Sequence, residues 1–304
     1  MIRETQSAAP AVPKQPAATR HAVTIVIPAY NEENAIVQQI QALEKALEPS
    51  SWEYQIIVVD DGSTDDTAGR AETKGVQVER LGTNRGYGAA LKAGIALAKS
   101  EWVIIIDADG TYPAAEIPRM LERLPATDMV VGARIGWTVQ DPLARRPAKW
   151  LLRKLAGYLA GSEIPDLNSG LRVIRKSLVE QYANILPSGF SFTTTITLAL
   201  ISGGYNVTYV PIDYFKRVGR SKIRPSHALK FALQMLRTMM LFRPLRVLGP
   251  VASVVTLAGL AKLVYDLSLS RLSAIDVLFV LQGVLFWCLA LLADQNARFH
   301  QPKR

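Results

Sequence analysis

Through about its first two hundred residues, the chain alternates between short β-branched runs and stretches in which apolar residues recur at helical spacing. The runs predict strands, which cover Ala22–Pro28, Tyr54–Ser63, Val76–Arg80 and Trp102–Gly110. The intervening stretches predict helices, from Asn31 to Leu47, from about Asp65, and over Ala89–Ser100. Strands and helices that alternate in this way indicate an α/β fold with a mainly parallel sheet covered on both faces.

Two long apolar stretches lie near the end of the chain, at Val247–Tyr265 and Ile275–Ala293. Each is close to the roughly 20 residues that a helix needs to cross a bilayer. Lys262 stands near the end of the first stretch and Asp276 at the boundary of the second. Because a short linker joins them, the stretches predict a transmembrane hairpin. The alternative is a pair of buried helices in a soluble core.

Basic residues predict how this hairpin is oriented. They flank it on both outer sides, whereas the linker carries only Arg271. Basic flanks face the cytoplasm, so both termini are expected there. Segment 225–242 combines helical apolar spacing with basic residues, which predicts an amphipathic juxtamembrane helix in the membrane interface, with a packed core helix as the alternative. The predicted organisation is a main domain over 21–224, this helix, and a hairpin with a basic tail over 243–304.

Composition narrows the partners and the chemistry. The net charge is +9, from 35 Lys and Arg against 26 Asp and Glu, so an anionic partner is expected. One cysteine, Cys288, excludes an internal disulfide, and three scattered histidines do not suggest a zinc site. Residues 1–20 are rich in Ala and Pro without an apolar core, which predicts a disordered tail and not a signal peptide.

Acidic residues stand where three of the predicted strands end. They are Glu32 after the first strand, Asp60 with Asp61, and Asp107 with Asp109. Ligands bind at the carboxyl ends of parallel strands, so these segments are expected to converge on one crevice. Two carboxylates one residue apart can share a divalent cation, which also holds a diphosphate. The chain has no GxGxxG after its first strand and no GxxxxGK[ST], which excludes the nicotinamide-dinucleotide and P-loop classes.

Four motifs of the main domain follow one another as IPAYNEE (27–33), VVDDGSTDDT (58–67), NRGYGAALKAGI (84–95) and DADG (107–110). Together they resemble the family 2 glycosyltransferases with the GT-A fold. MVVGARI (129–135), DLNSGLRVIRK (166–176) and VPIDYFKRVGRSKIRP (210–225) are similar to the polyprenyl-phosphate branch of that family. This branch includes dolichol-phosphate mannose synthase and bacterial enzymes that charge undecaprenyl phosphate. The resemblance covers roughly 23–225 and extends to the two C-terminal spans.

The resemblance implies roles for particular residues. Contacts with the nucleotide sugar are implied for Pro28, Tyr30, Glu32, Asp60, Asp61, Asp107, Ala108 and Asp109. Asp107 and Asp109 are implied as ligands of Mg2+ or Mn2+. Arg134, Arg217 and Lys222 are implied to face the phosphates, and Asp166 with Asn168, Ser169 and Arg172 to border the acceptor. Arg145 or Arg146 lies where relatives place an acceptor-phosphate arginine, and Thr111 stands where some dolichol-phosphate mannose synthases carry Gln.

The resemblance also implies a reaction. A sugar would pass from a nucleotide-diphosphate sugar to undecaprenyl or dolichyl phosphate at the cytoplasmic face of the cell (inner) membrane. The acceptor phosphate, with a second pKa of about 6, is already a nucleophile at neutral pH, so a general base is not required. Asp109 and Asp166 are the candidate catalytic residues, and Asp166 serves either as a base or as an orienting group. Direct attack by the phosphate oxygen would invert the anomeric centre.

Three alternatives stay open. One is a processive polysaccharide synthase, because QMLRT (234–238) nearly matches the QxxRW motif, with Thr238 in place of Trp. The others are a transferase with a hydroxyl acceptor and a non-catalytic membrane scaffold. The expected partners are the nucleotide sugar, the lipid phosphate and the bilayer, not nucleic acid. The sequence leaves open whether the chain forms a homo-oligomer.

Overall fold

The computed structural model describes residues 21–135, 146–215 and 227–300. Within them, seven strands form one sheet in the order β3-β2-β1-β4-β6-β5-β7. The strands are β1 (Ala22–Ala29), β2 (Glu53–Asp60), β3 (Gln77–Arg80), β4 (Trp102–Ile105), β5 (Met129–Arg134), β6 (Arg172–Arg175) and β7 (Val207–Ile212). Strand β6 is antiparallel to both of its neighbours and the other pairs are parallel, which confirms the predicted, mainly parallel sheet.

Helices cover both faces of the sheet, as the buried apolar runs require. They are α1 (Ile36–Leu47), α2 (Thr67–Glu72), α3 (Tyr87–Leu97), α4 (Ile117–Leu121), α5 (Arg146–Ala160), α6 (Lys176–Gln181), α7 (Phe192–Ser202), α8 (His227–Phe242), α9 (Pro244–Ser268) and α10 (Ala274–His300). Helices α1, α2 and α4 share a core with one face of the sheet, and α3, α6 and α7 share a core with the other. Helices α5 and α8 then pack over α7, which is buried along almost its whole length.

The first helix begins later than the sequence suggested. The prediction started it at Asn31, whereas α1 begins at Ile36. Asn31 adopts a left-handed backbone conformation with φ 54°, and its side-chain oxygen accepts a hydrogen bond from the backbone N–H of Thr64 at 2.8 Å. The asparagine therefore fastens the loop after β1 to the loop after β2 and does not cap a helix.

Helices α9 and α10 form the predicted hairpin and pack against each other. Both are long and apolar enough to cross a membrane, and only 17% of the residues in the most apolar window of each are buried. That low burial disfavours two core helices of a soluble protein. The helices approach closely at Gly259, where a Cβ atom would lie 3.0 Å from the carbonyl carbon of Phe279. Lys262 on α9 pairs with Asp276 on α10 at 2.6 Å.

Helix α8 combines the two alternatives that the sequence left open. Met235, Met239 and Phe242 are buried against the domain, as in a packed helix. Leu233 and Leu241 on the same helix are exposed, as in an amphipathic interfacial helix. The interfacial role therefore stays a prediction, and it concerns only the outward side of α8.

Candidate active site

The acidic segments reach the same edge of the sheet because their strands are parallel and in register. Ala29 at the end of β1 pairs with Asp60 at the end of β2, and Val26 pairs with Ile105 at the end of β4. Asp60, Asp61 and Asp109 are buried there, and Asp107 is half-buried. Pro28 is buried in β1, whereas Tyr30 and Glu32 are half-buried in the following loop. The structure thus brings the predicted donor-side residues to one edge.

Hydrogen bonds fix the first two loops of this edge to each other. The backbone N–H of Asn31 donates to Ser63 Oγ at 2.9 Å, and that of Glu32 donates to Thr67 Oγ1 at 2.8 Å. The side-chain oxygens come from the loop and helix after β2, and the donors come from the loop after β1. The two segments for which nucleotide contacts were implied are therefore hydrogen-bonded to each other.

Asp61 organises the glycine-rich loop that begins at Asn84. Its carboxylate accepts hydrogen bonds from the backbone N–H groups of Arg85 at 2.7 Å and Gly86 at 2.9 Å. Gly86 has φ +100°, and a Cβ atom there would lie 2.6 Å from the carbonyl oxygen of Ser188, so a side chain is excluded. In the described residues this loop packs against protein, and a contact of Asp61 with the nucleotide stays a prediction.

Asp107 is oriented by an aromatic pair and a glycine. The Tyr87 hydroxyl donates to Asp107 Oδ1 at 2.9 Å, and the Tyr87 ring stacks on Phe190 with centroids 5.7 Å apart. Burial, reinforced by the charge of Asp107, raises the pKa of Tyr87 well above its usual value, so the phenol stays protonated and remains a donor. A Cβ atom on Gly170 would lie 2.5 Å from Asp107 Oδ2, so the carboxylate lies directly against the backbone of residue 170.

Asp109 is held by the residue two positions later. Its Oδ1 accepts hydrogen bonds from the Thr111 hydroxyl at 2.6 Å and from the Thr111 backbone N–H at 3.1 Å. Asp109 and Thr111 are both buried, as is Ala108 between the two aspartates. Thr111 is therefore placed to orient a carboxylate, at the position where some dolichol-phosphate mannose synthases carry Gln.

Asp107 and Asp109 fit a hard divalent cation that is completed by substrate. Mg2+ and Mn2+ prefer carboxylate oxygens, and Mg2+ is commonly held by one or two carboxylates together with phosphates and water. Within residues 21–135, 146–215 and 227–300, no group of three or more His, Cys, Asp and Glu side chains is placed to hold a metal ion. Hydrogen bonds from Tyr87 and Thr111 to the two carboxylates supply the orienting second layer that metal-binding carboxylates usually have.

Arg134 and Asp166 form a partly buried bidentate ion pair beside this centre. Arg134 Nε lies 2.7 Å from Asp166 Oδ2, and Nη2 lies 2.9 Å from Oδ1. Their side chains are 24% and 10% exposed, and the Arg134 guanidinium also lies over the ring of Tyr214. Burial opposes ionisation of Asp166, but the charge and hydrogen bonds of Arg134 prevail and lower its pKa. A carboxylate so engaged is a weak proton acceptor, so the geometry favours the orienting role over the base.

One implied acceptor-side residue is contradicted by the structure. Arg172 is fully buried, and its guanidinium donates to the carbonyl oxygens of Ser169 and Thr193 and to the hydroxyl of Thr197. At the start of β6 it faces α7 instead of the crevice, so it holds the fold together and does not border an acceptor. Ser169 is also buried, and its hydroxyl donates to the carbonyl oxygen of Gly132. Asn168 is exposed and accepts a hydrogen bond from the Thr194 hydroxyl.

Other predicted residues lie outside the described parts. Arg145 belongs to segment 136–145, and Arg217 and Lys222 belong to segment 216–226. Arg146 is described only as the first residue of α5. Conversely, sequence reasoning did not single out Tyr87, Phe190 or Gly170. The motif NRGYG contained Tyr87, but its contact with Asp107 depends on how the sheet folds. No sequence pattern signals the contact between Gly170 and Asp107.

The mainly parallel sheet with one reversed strand, β6, and paired aspartates after β4 has the architecture of the GT-A fold. The chain belongs to Glycosyl transferase family 2, whose family model matches residues 24–183. A second family model, the GtrB C-terminal hairpin, matches residues 243–298 and thus covers α9 and α10. The family and fold suggested by the motifs are confirmed.

Similar proteins are found among bacterial transferases. An undecaprenyl-phosphate 4-deoxy-4-formamido-L-arabinose transferase from Pseudomonas fluorescens is 32% identical over 285 residues, which cover 88% of this chain and 80% of the relative. The enzyme of the same description from Klebsiella pneumoniae is 28% identical, with 87% and 82% covered.

A solved structure supports the fold independently. Glucosyl-3-phosphoglycerate synthase from Mycobacterium tuberculosis, crystallised with Mn2+, UDP and phosphoglyceric acid, superposes with a TM-score of 0.57 at 21% identity. The match covers 72% of this chain and 78% of that one. At this identity the likeness shows the fold alone.

Proposed function

We infer that this glycosyltransferase moves a sugar from a nucleotide-diphosphate sugar to a polyprenyl monophosphate, with inversion at the anomeric carbon. The observation that carries the proposal is the pair Asp107 and Asp109, held by Tyr87 and Thr111 at the edge of a domain that continues into a membrane-type hairpin. A metal-and-diphosphate site explains the two oriented carboxylates. The hairpin suits an acceptor that resides in a bilayer, and the names of the relatives include undecaprenyl phosphate.

The donor side is assigned to the ends of the first, second and fourth strands. The proposed nucleotide contacts are Pro28, Tyr30, Glu32, Asp60 and Asp61, with Ala108 between the metal ligands. Asp107 and Asp109 would hold Mg2+ or Mn2+, which would offset the negative charge that develops on the departing diphosphate. The hydrogen bonds of Tyr87 and Thr111 keep both carboxylates in place before substrate arrives.

The acceptor side is assigned to the segments around Asp166. The carboxylate holds Arg134 through two charge-assisted hydrogen bonds and a third from the Arg134 backbone N–H at 3.0 Å. Arg134 thereby gains a fixed direction near two anionic substrates. Because the acceptor phosphate is already ionised, no residue has to remove a proton. Arg217 and Lys222, outside the described residues, are proposed to contact the phosphates.

We place the enzyme in the inner membrane with its catalytic domain and both termini in the cytoplasm. The support is the basic flanks of the hairpin and the lack of basic residues other than Arg271 in its linker. The product would then form on the cytoplasmic face. Cysteine-accessibility labelling at the linker, with Cys288 replaced by Ala, tests this topology, and linker labelling from the cytoplasmic side would contradict it.

The function is tested with the purified chain in lipid, undecaprenyl phosphate and a panel of nucleotide sugars, with Asp109→Asn as the matched inactive control. A lipid product with the mass of a polyprenyl-phosphate sugar is expected with one donor, and NMR should show a β linkage from an α-linked donor. An α-linked product from that α-linked donor would refute single displacement. Repeated addition to a growing chain would favour the processive synthase, and transfer only to a hydroxyl would favour the hydroxyl-acceptor transferase. No hydrolysis or transfer with any donor would favour the non-catalytic scaffold.

A further inference from the structure

An exposed aromatic ring lies close to the paired aspartates. Phe190 is 41% exposed, although it is large and apolar. Its ring stacks on that of Tyr87, with centroids 5.7 Å apart and an angle of 21° between the planes. The Tyr87 hydroxyl in turn donates to Asp107 Oδ1. A single side chain therefore separates the exposed ring from a proposed metal ligand.

The loop that carries Phe190 is fixed against the start of α3. The carbonyl oxygen of Ser188 accepts a hydrogen bond from the backbone N–H of Ala89 at 3.0 Å. A Cβ atom on Gly88 would overlap the carbonyl oxygen of Pro187, so the two backbones lie in direct contact. Just beyond the ring, the chain enters α7. Contacts on both sides thus hold the ring in one place.

Asn168 approaches the same aspartate from its other carboxylate oxygen. It stands two residues before Gly170, whose backbone lies against Asp107 Oδ2, and its side chain is exposed. Its amide oxygen accepts a hydrogen bond from the hydroxyl of Thr194, in the first turn of α7 and four residues after Phe190. With that oxygen engaged, the amide N–H2 group serves as a hydrogen-bond donor. Helix α7 thus joins Asn168 to Phe190 beside the metal pair.

We propose that Phe190 and Asn168 bind the sugar of the nucleotide-sugar donor, with the ring against a C–H face and the amide toward a hydroxyl. The proposal rests on the proposed function, in which a metal at Asp107 and Asp109 holds the diphosphate. The sugar is bonded directly to that diphosphate, so it lies beside the metal pair. Sugars present C–H groups and hydroxyls together, and an exposed ring next to an amide matches both. We call Phe190 and Asn168 the sugar platform.

The position of Phe190 favours the sugar over the isoprenoid chain of the acceptor. The Arg134 guanidinium lies over the ring of Tyr214, which packs with the core on the α1 face of the sheet. Tyr87, which carries the Phe190 ring, packs with the core on the opposite face, together with α3 and α7. The proposed acceptor-phosphate contact and the exposed ring therefore flank the metal pair from opposite faces.

The test is a titration of the full-length chain in nanodiscs with Mn2+ and without polyprenyl phosphate, followed by calorimetry. The ligands are UDP, UDP-glucose, UDP-N-acetylglucosamine, UDP-L-arabinose, GDP and GDP-mannose. The measured quantity is the sugar gain, which is the Kd of the bare diphosphate divided by the Kd of its nucleotide sugar. In the parent chain the gain should exceed one for at least one sugar.

The variants separate the platform from its surroundings. Phe190→Ala should lower the sugar gain by about three- to tenfold, whereas Phe190→Tyr, which keeps the ring, should retain it. Asn168→Ala should lower the gain by a similar factor, about three- to tenfold. Tyr54→Ala is the matched control, because Tyr54 is an aromatic residue that is 38% exposed at the start of β2, at the opposite edge of the sheet. Equal melting temperatures show that the fold is intact.

Three results would overturn the sugar platform. One is a parent chain in which no sugar gains affinity over the bare diphosphate. Another is an equal loss of affinity for UDP and its sugars in Phe190→Ala, because the ring would then only support Tyr87. The third is an unchanged gain in Phe190→Ala with a higher requirement for undecaprenyl phosphate, which would assign the ring to the lipid. A gain that depends on Phe190, without transfer to undecaprenyl phosphate from any donor, would support the platform and refute the proposed acceptor.

Discussion

Replacing Tyr87 by Phe tests whether the paired aspartates form a metal site. The change removes one hydroxyl whose hydrogen bond to Asp107 Oδ1 measures 2.9 Å, and it keeps the ring that stacks on Phe190. No cavity is created and no charge is removed. Any loss of function must therefore pass through the orientation and basicity of Asp107.

The expected size follows from the type of bond that is lost. A hydrogen bond to a charged group contributes about 1.5–3 kcal/mol. Removing a partner that orients a metal ligand weakens metal affinity or activity by about 10- to 100-fold. We therefore predict that Tyr87→Phe raises the Mn2+ concentration required for half-saturation by about one to two orders of magnitude. Much of the maximal rate should return at saturating metal, because both carboxylates are still present.

Mn2+ is titrated into the full-length chain in the presence of UDP or GDP, and binding is measured from the EPR signal of free Mn2+. The sugar donor therefore need not be known. The matched control is Tyr209→Phe. Tyr209 carries a buried hydroxyl that has no hydrogen-bond partner in the part of the chain that the structure describes. The control should bind Mn2+ like the parent chain. Parental Mn2+ affinity in Tyr87→Phe, with the fold intact, would refute the role of the Tyr87 hydroxyl in orienting a metal ligand.

Four further predictions test neighbouring parts of the site. Asp107→Asn and Asp109→Asn should each abolish Mn2+ binding and transfer without unfolding the chain, and EDTA should reproduce the loss reversibly; full activity of Asp109→Asn in chelator would exclude the metal. Gly170→Ala should lower metal affinity by about tenfold or more, because the new Cβ would lie 2.5 Å from Asp107 Oδ2, and an unchanged titration curve would show that the loop yields. Asp166→Asn breaks a partly buried ion pair at a cost of up to about 3–5 kcal/mol, so it should lower the melting temperature near neutral pH. The folded-state pKa of Asp166 is lowered, so the pair stabilises the fold above the unfolded-state pKa, and this stabilisation is lost as pH falls through the folded-state pKa. The difference in melting temperature between Asp166→Asn and the parent chain should therefore shrink below about pH 4. A difference that stays constant with pH would contradict the ion-pair explanation. Arg217→Ala and Lys222→Ala should each raise the lipid-phosphate concentration required for transfer, and normal transfer by both would show that this segment does not bind phosphate.

The sequence was sufficient for the elements whose pattern is local. Parallel strands were visible as β-branched runs such as VIII before Asp107, and the hairpin was visible as two apolar stretches of membrane length. The start of α1 was wrong by five residues because Asn31, Glu32 and Glu33 look like a helix start. The competing interaction is long-range: the Asn31 side chain binds Thr64, which no local pattern around Asn31 reveals.

The residues of the candidate site also divide into those that a local sequence pattern reveals and those that depend on long-range contacts. Asp107 and Asp109 were identifiable because they end a buried strand, and that position is fixed by pattern and charge. Tyr87 and Gly170 were not, because their contacts with Asp107 join segments far apart in the chain. Arg172 was misassigned since its motif places it near Asp166, whereas the alternation of side chains along β6 directs its guanidinium into the core beneath α7.

The single reversed strand, β6, has a consequence for how such enzymes can diversify. A parallel strand contributes to the ligand edge through the loop that follows it, as Asp60 and Asp107 do after β2 and β4. Strand β6 runs the other way, so the loop that precedes it, with Asp166 and Gly170, reaches that edge. The segment between β5 and β6 can therefore exchange, lengthen or acquire a helix such as α5 without altering the connections after β1, β2 and β4. Selection for a new acceptor can act on that one insertion while the connections proposed to bind the nucleotide are inherited unchanged.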